Sequence, residues 1–293
     1  MKEKDRKNIL FSHLFFLLLH KIKLKMLKFI SFGSGSSGNC YLLYSATDGL
    51  LIDSGLGTRI LKKRLKDYGL TLSSVVSNIL ITHDHADHVK SVGCVSHDNN
   101  LPVYATQQVH NGIKRNYCVR HKVDDSLIRL IEKGKEIELG EFKVTPFEVP
   151  HDSSDNVGYK IVWQDIVFCI ITDAGHVTSE MQTYISQANY LVIEANHSEE
   201  MLLGGPYPQY LKERILGPNG HLSNIACAEA LAKNATSKLH HVWLCHLSEE
   251  NNHPELARKT VEETLHTNGI IIGTNFKLDV LKRKSPSEIF ELT

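Results

Sequence analysis

The apolar positions of this chain fall in short runs rich in β-branched residues, separated by glycine, proline, asparagine and serine. That rhythm predicts strands. Such runs lie at 27–32, 40–44, 49–52, 75–81, 101–105, 128–137, 142–149, 158–163, 166–171, 190–194, 241–244 and 270–278. The run at 128–137 leads into a hairpin with Gly140 in its turn. Helical spacing appears at 60–68, where Ile60, Leu61 and Leu65 face inward and basic residues outward, and again at 254–266. Further helices are predicted at 90–99, 106–114 and 224–233, the last capped by Ser223 or Asn224. Some strands follow one another as meanders, and others alternate with helices. The pattern predicts an α/β (α+β) chain of two mixed β-sheets packed together, with helices outside. With no linker or low-complexity tract, one domain over 26–293 is expected.

The strand at 75–81 runs into Thr82-His83-Asp84-His85-Ala86-Asp87-His88. Strand ends are where α/β sheets place chemistry. In extended or turning backbone, His83 and His85 point the same way and reach one ion. Asp87 and His88, past the bend, reach a second. Imidazole and carboxylate at this spacing suit divalent metals. Other strands end in the same residue types: Asp53, His151, Asp173, His197 and His246. One such ending is ordinarily a cap or turn residue, but the repetition predicts convergence on one sheet edge. The loop Gly33-Ser34-Gly35-Ser36-Ser37-Gly38-Asn39 is either an anion-holding concavity or a plain β-turn. It is not a P-loop, because no Gly-Lys-Ser/Thr closes it.

Composition sharpens this picture in few places. Lys+Arg and Asp+Glu are both 33, so bulk charge points to no partner, and nucleic-acid binding would need a local basic face. The 17 histidines favour metal chemistry, and the six cysteines form no C-x-x-C pair and read as reduced thiols of a cytoplasmic protein. Residues 1–25 hold an apolar stretch too short to span a bilayer, with no small-residue cleavage site after it. They are expected to be an extension or an upstream start, with a peripheral membrane-binding helix as the lesser alternative.

A strand ending in Asp53, then T-H-x-H-x-D-H, a later Pro150-His151, Thr172-Asp173 and Cys245-His246 resembles the ordered motif set of the metallo-β-lactamase superfamily over about 26–278. The resemblance implies an αββα sandwich with a dinuclear site at one edge. It implies His83, His85 and His151 for one metal, and Asp87, His88 and His246 for the second. Asp173 would be the bridging carboxylate, and Asp53 the acid that orients the ligand loop. The asparagine- and histidine-bearing segments Glu194-Ala195-Asn196-His197, Gly220-His221-Leu222-Ser223-Asn224 and His246-Leu247-Ser248, with the 33–39 loop, resemble the YycJ/WalJ-type exonuclease group. They are also similar to phosphoribosyl cyclic phosphodiesterases, in which the residue matching His221 resembles the general acid.

The resemblance therefore implies hydrolysis of phosphodiester bonds, most simply 5′→3′ digestion of DNA by a hydroxide bridging two divalent ions. Zn²⁺ fits the ligand set first, and Mn²⁺ or Fe²⁺ also fit it. Asp87 and His221 are the expected catalytic residues. Ser34, Ser36, Ser37, Asn39, His197, Ser223 and Asn224 are the expected substrate contacts, the loop serines and Asn39 at a terminal 5′-phosphate. No firm membrane association is expected, and a second copy of the chain is an optional partner in a homodimer. The alternative is a small-molecule hydrolase, either a cyclic phosphodiesterase or a thioesterase of the glyoxalase II kind.

Overall fold

The computed structural model describes residues 26–293, so the expectations for residues 1–25 lie outside the described residues. Two seven-stranded sheets face each other. The first contains β1 (Leu27–Gly33), β2 (Cys40–Tyr44), β3 (Gly49–Ile52), β4 (Asn78–Leu80), β5 (Val103–Ala105) and β6 (Ile128–Leu130), and is completed by β14 (Phe290–Leu292) beside β1. The second runs from β7 (Ile137–Leu139) through β8 (Phe142–Glu148), β9 (Val157–Trp163), β10 (Ile166–Ile171), β11 (Tyr190–Glu194) and β12 (His241–Cys245) to β13 (Lys277–Val280). Each sheet is built the same way. An antiparallel meander, β1–β3 or β7–β10, passes into parallel neighbours, β3–β6 or β10–β13.

Side-chain alternation explains the layers. In β2, Tyr41 and Leu43 join Phe29, Phe168 and Trp243 in the core between the sheets. Cys40 and Leu42, one residue out of phase, join the core under the helices of the first sheet. The second sheet likewise turns Leu191 and Ile193 toward its own helices and Val192 toward the first sheet. Because both faces are covered, these strands read as continuous apolar runs without a polar alternate. The first sheet is covered by α1 (Thr58–Asp67), α4 (Val92–Asn99) and α5 (Gln107–Arg115), and the second by α6 (Ser179–Gln187), α9 (Asn224–Asn234) and α10 (Pro254–Thr267). This is the expected αββα arrangement.

Several local expectations change. The run at 75–81 is split, because α2 (Leu72–Val75) takes its start and only β4 is extended. Ile60 is 49% exposed, while Leu61 and Leu65 alone face the core. The run at 128–137 is two strands in different sheets, joined through Gly134 at φ +75°. The expected strand at 270–278 shrinks to β13, and the closing pairing is made later by β14. No helical period in the sequence marks α6, α7 (Glu199–Gly204) or α8 (Gln209–Leu216). Thr178 and Ser198 cap the first two through their hydroxyls, and α8 buries no side chain. Ser223 caps α9 by accepting from the Ala226 amide.

Candidate metal centre

Parallel neighbours place their C-terminal ends on one edge, and here those ends carry the polar residues. Asp53 follows β3, Thr82 and His83 follow β4, Asp173 follows β10, Glu194 ends β11 and His246 follows β12. His151 follows β8 from the meander of the second sheet. The short helix α3 (Ala86–Val89) brings Asp87 and His88 back over the edge. Among the described residues, five other than glycine adopt positive φ, and three of them are Asp53 at 60°, Asp173 at 53° and His246 at 51°. Each such conformation costs on the order of 1–3 kcal/mol and persists only where the surroundings enforce it. It turns the chain sharply at the strand end and directs the side chain into the cluster.

Two groups of ligand atoms result. His83, His85 and His151 form one group, and Asp87, His88 and His246 the other. His85 Nδ1 lies 3.2 Å from His151 Nε2. His246 Nε2 lies 3.3 Å from Asp87 Oδ2, and His88 Nε2 lies 3.5 Å from the same oxygen. Asp173 stands between the groups, with Oδ2 3.2 Å from His88 Nε2 and Oδ1 3.7 Å from His151 Nε2. The structure thus brings all seven expected ligands together.

The opposite ring nitrogens of His83, His88, His151 and His246 are held, which fixes the orientation of those imidazoles. His88 Nδ1 is 2.7 Å from Asp53 Oδ2, and Asp53 also accepts from the Thr82 amide and hydroxyl. His83 Nδ1 is 3.0 Å from the Thr82 hydroxyl. His151 Nδ1 donates to the Gly220 carbonyl, and His246 Nδ1 donates to Glu194 at 2.9 Å. Gly55 lets the ligand loop close, since a Cβ there would sit 1.6 Å from the Asp87 carbonyl oxygen.

These residues fit divalent metal ions. His83 Nε2 is buried without any hydrogen-bond partner, an arrangement that costs about 1–3 kcal/mol unless something coordinates it. Burial, reinforced by His88, holds the His83 pKa well below its usual value, so the ring is neutral and able to ligate. Burial would also depress His88, but Asp173, Asp53 and Asp87 outweigh it and raise that pKa to about 10. Burial opposes ionisation of Asp173, yet His246 and His88 keep its pKa well below the usual carboxylate range. The site therefore favours positive charge at its centre, as a proton or as an ion.

Glu194, which the sequence marks only as the start of the Glu194-Ala195-Asn196-His197 segment, stands at the centre of the hydrogen bonding. It is fully buried and accepts four hydrogen bonds. Oε1 takes His221 Nδ1 at 2.8 Å and His246 Nδ1 at 2.9 Å, and Oε2 takes the Ala174 and Leu222 amides. Burial raises its pKa, but His221 and His246 overcome that and bring it to about 2. Burial lowers the His221 pKa in turn, and the Glu194 carboxylate more than reverses it. His221 is 17% exposed at its side chain, so its Nε2 side stands at the mouth of the site.

The expected substrate contacts divide. Ser34 is buried, shares a 2.9 Å hydrogen bond with the Tyr41 hydroxyl and accepts from the His246 amide. Asn39 is buried too, with Nδ2 2.8 Å from His88 Nε2 and 3.2 Å from Asp87 Oδ2. Asn224 is buried against Asn252, and Ser223 is the helix cap. Ser36 and Ser37 are exposed. His197 is 1% exposed, and neither ring nitrogen has a partner.

A β-lactamase superfamily domain matches residues 49–246, which is the stretch from β3 to the last ligand. The chain belongs to the metallo-β-lactamase superfamily. It is 35% identical to exodeoxyribonuclease YycJ of Bacillus anthracis over 265 residues, covering 90% of this chain and 98% of that one. It is 34% identical to exodeoxyribonuclease WalJ of Streptococcus pneumoniae D39, covering 86% of this chain and 93% of that one. The metallo-β-lactamase-fold protein YhfI from Bacillus subtilis superposes with a TM-score of 0.66 at 15% identity, covering 91% of this chain and all of that one, and so shares the fold. The superfamily and the His/Asp groups together imply divalent metals. No helix among the described residues is long and apolar enough to cross a membrane.

Proposed function

We propose that the chain is a divalent-metal-dependent exodeoxyribonuclease that digests DNA in the 5′→3′ direction. One observation supports the chemistry: Asp173 lies between two ligand groups, with the Glu194–His221 pair beside them. The curated relatives supply the substrate class, since both are named exodeoxyribonucleases.

His83, His85 and His151 would hold one ion, Asp87, His88 and His246 the other, with Asp173 between them. When bound, the ions supply Lewis-acid activation of water and offset charge on the phosphoryl oxygens. Asp87 orients the attacking water, which opens the phosphodiester in line with the leaving oxygen. His221 donates its Nε2 proton to that oxygen, and Glu194 keeps the ring protonated and aimed. Such a donor is needed because an alkoxide is a poor leaving group. Asp53 positions the ligand loop through Thr82 and His88. Ser36 and Ser37, the exposed hydroxyls of the 33–39 loop, contact the strand backbone. Zn²⁺ suits the imidazole-rich set, with Mn²⁺ or Fe²⁺ as substitutes. Six free cysteines support a cytoplasmic enzyme.

The test is digestion of DNA labelled at one end with Zn²⁺ or Mn²⁺, beside cyclic nucleotides, with His85→Ala and His221→Ala as controls. Stepwise mononucleotide release that both substitutions abolish is the expected result. Turnover of cyclic nucleotides alone would replace the nuclease by a small-molecule phosphodiesterase.

A further inference from the structure

Beside His221, with none of the seven expected ligands in its lining, the structure holds a cavity of about 370 Å³. That volume lies within the range of sites that take small ligands. His221 and His197 line it together with Gln182, Glu229 and Lys233. Val177 and Leu216 supply apolar surface. Neither the ligand groups nor the Glu194 pair accounts for this space. His197 is buried in its wall, and both ring nitrogens lack partners. Burial brings the His197 pKa down to about 4, so its ring is a neutral part of the wall.

We propose that this cavity is the binding site of the terminal deoxynucleoside, the group that leaves at each cleavage. The inference rests on the nuclease reading of His221. In that reaction the water oxygen forms a bond to phosphorus and the bond from phosphorus to the 3′ oxygen breaks. The 3′ oxygen takes the His221 proton, and the water's proton passes to solvent. The departing nucleoside is therefore next to His221, where the cavity opens.

The lining suits a nucleoside and not a running strand. Two carboxylates, Glu199 and Glu229, face one ammonium, Lys233. A polyanion is repelled by that balance. A base edge, by contrast, can bond to Gln182 and to a carboxylate, as base edges do elsewhere. The apolar wall can cover the base face. A site that admits one terminal nucleoside and excludes continuing backbone makes the enzyme an exonuclease, one nucleotide per turnover.

The experiment fills the cavity with Ala226→Trp, at a half-buried position in its lining. Three readouts are compared with wild type: mononucleotide release from 5′-labelled single-stranded DNA, hydrolysis of bis(p-nitrophenyl) phosphate, and binding of deoxyadenosine 5′-monophosphate by calorimetry. The small diester reports an intact centre, and Gln182→Ala, a surface-lining change, serves if the tryptophan variant does not fold. The expected result is reporter turnover within threefold of wild type, with DNA digestion and mononucleotide binding both at least tenfold weaker. Unchanged digestion and binding in both variants would overturn the site. Mononucleotide binding that the substitutions weaken, in a protein that leaves DNA intact, would sustain the site and remove the nuclease reading.

Discussion

Replacing Glu194 by Gln keeps the shape of the side chain and removes its charge. Oε1 serves both histidines and Oε2 both backbone amides, so a carboxamide can satisfy only one pair. With its oxygen toward the Ala174 and Leu222 amides, its NH₂ confronts the Nδ1 protons of His221 and His246. Hydrogen bonds to a charged group are worth about 1.5–3 kcal/mol each, so roughly 3–6 kcal/mol of local interaction is at stake. Ring rotation recovers part of it. The remainder appears as misaligned His246, and loss of such a supporting partner weakens metal affinity by about 10–100-fold. His221 loses its raised pKa as well. Its protonated form is then lost at lower pH, so the alkaline limb of DNA hydrolysis moves to lower pH. Chelator competition measures the affinity, and paired rates on DNA and bis(p-nitrophenyl) phosphate at saturating metal isolate the proton donor. DNA hydrolysis should fall at least tenfold more than hydrolysis of the nitrophenyl ester, whose leaving group needs no proton. A metal affinity within twofold of wild type, or equal falls on both substrates, would refute the shared role of Glu194.

His221→Asn should lower DNA cleavage by about 10²–10⁴-fold while sparing the nitrophenyl ester, and it should abolish the alkaline limb of the rate profile. Asp53→Asn leaves a single acceptor oxygen where Thr82 and His88 use two, and metal affinity measured by chelator competition should drop about 10–100-fold. Gly55→Ala cannot fit its Cβ 1.6 Å from the Asp87 carbonyl, and the variant should retain folded circular dichroism but bind less than two ions by metal analysis. Removing metal held at about 1,000 times its dissociation constant should take away about 4 kcal/mol of stability. In calorimetry that is a fall in Tm of roughly 10 °C.

The ligand run was legible because its chemistry is local. Four ligands sit within His83–His88, and no fold is needed to see them as a set. His151, Asp173 and His246 became recognisable only through their order along the chain, because each is a lone polar residue after an apolar strand. Glu194 was harder. It ends Tyr190–Glu194, where a terminal acid ordinarily points to solvent, and only the sandwich reveals that it is sealed beneath two imidazoles. The segment from 179 to 216 was opaque for another reason. Its helices are short, and α8 lacks any buried stripe, so no period marks it. Ile60 was misassigned because helical spacing marks a stripe without fixing its edges. The crossing at 131–136 left no trace in hydrophobicity, since β6 and β7 are apolar in the same way though they belong to opposite sheets.

The ligands come from both sheets, with His83, His85, Asp87 and His88 on one and His151, Asp173 and His246 on the other. During synthesis the first four emerge long before the last, with β12 still to be made. A growing chain at that stage holds four of the seven expected ligands. The set is complete only with the second sheet packed on the first, where His246 Nε2 lies 3.3 Å from Asp87 Oδ2. The centre is thus also a record of completed assembly, because parting the sheets would separate His83 from His151 and Asp87 from His246.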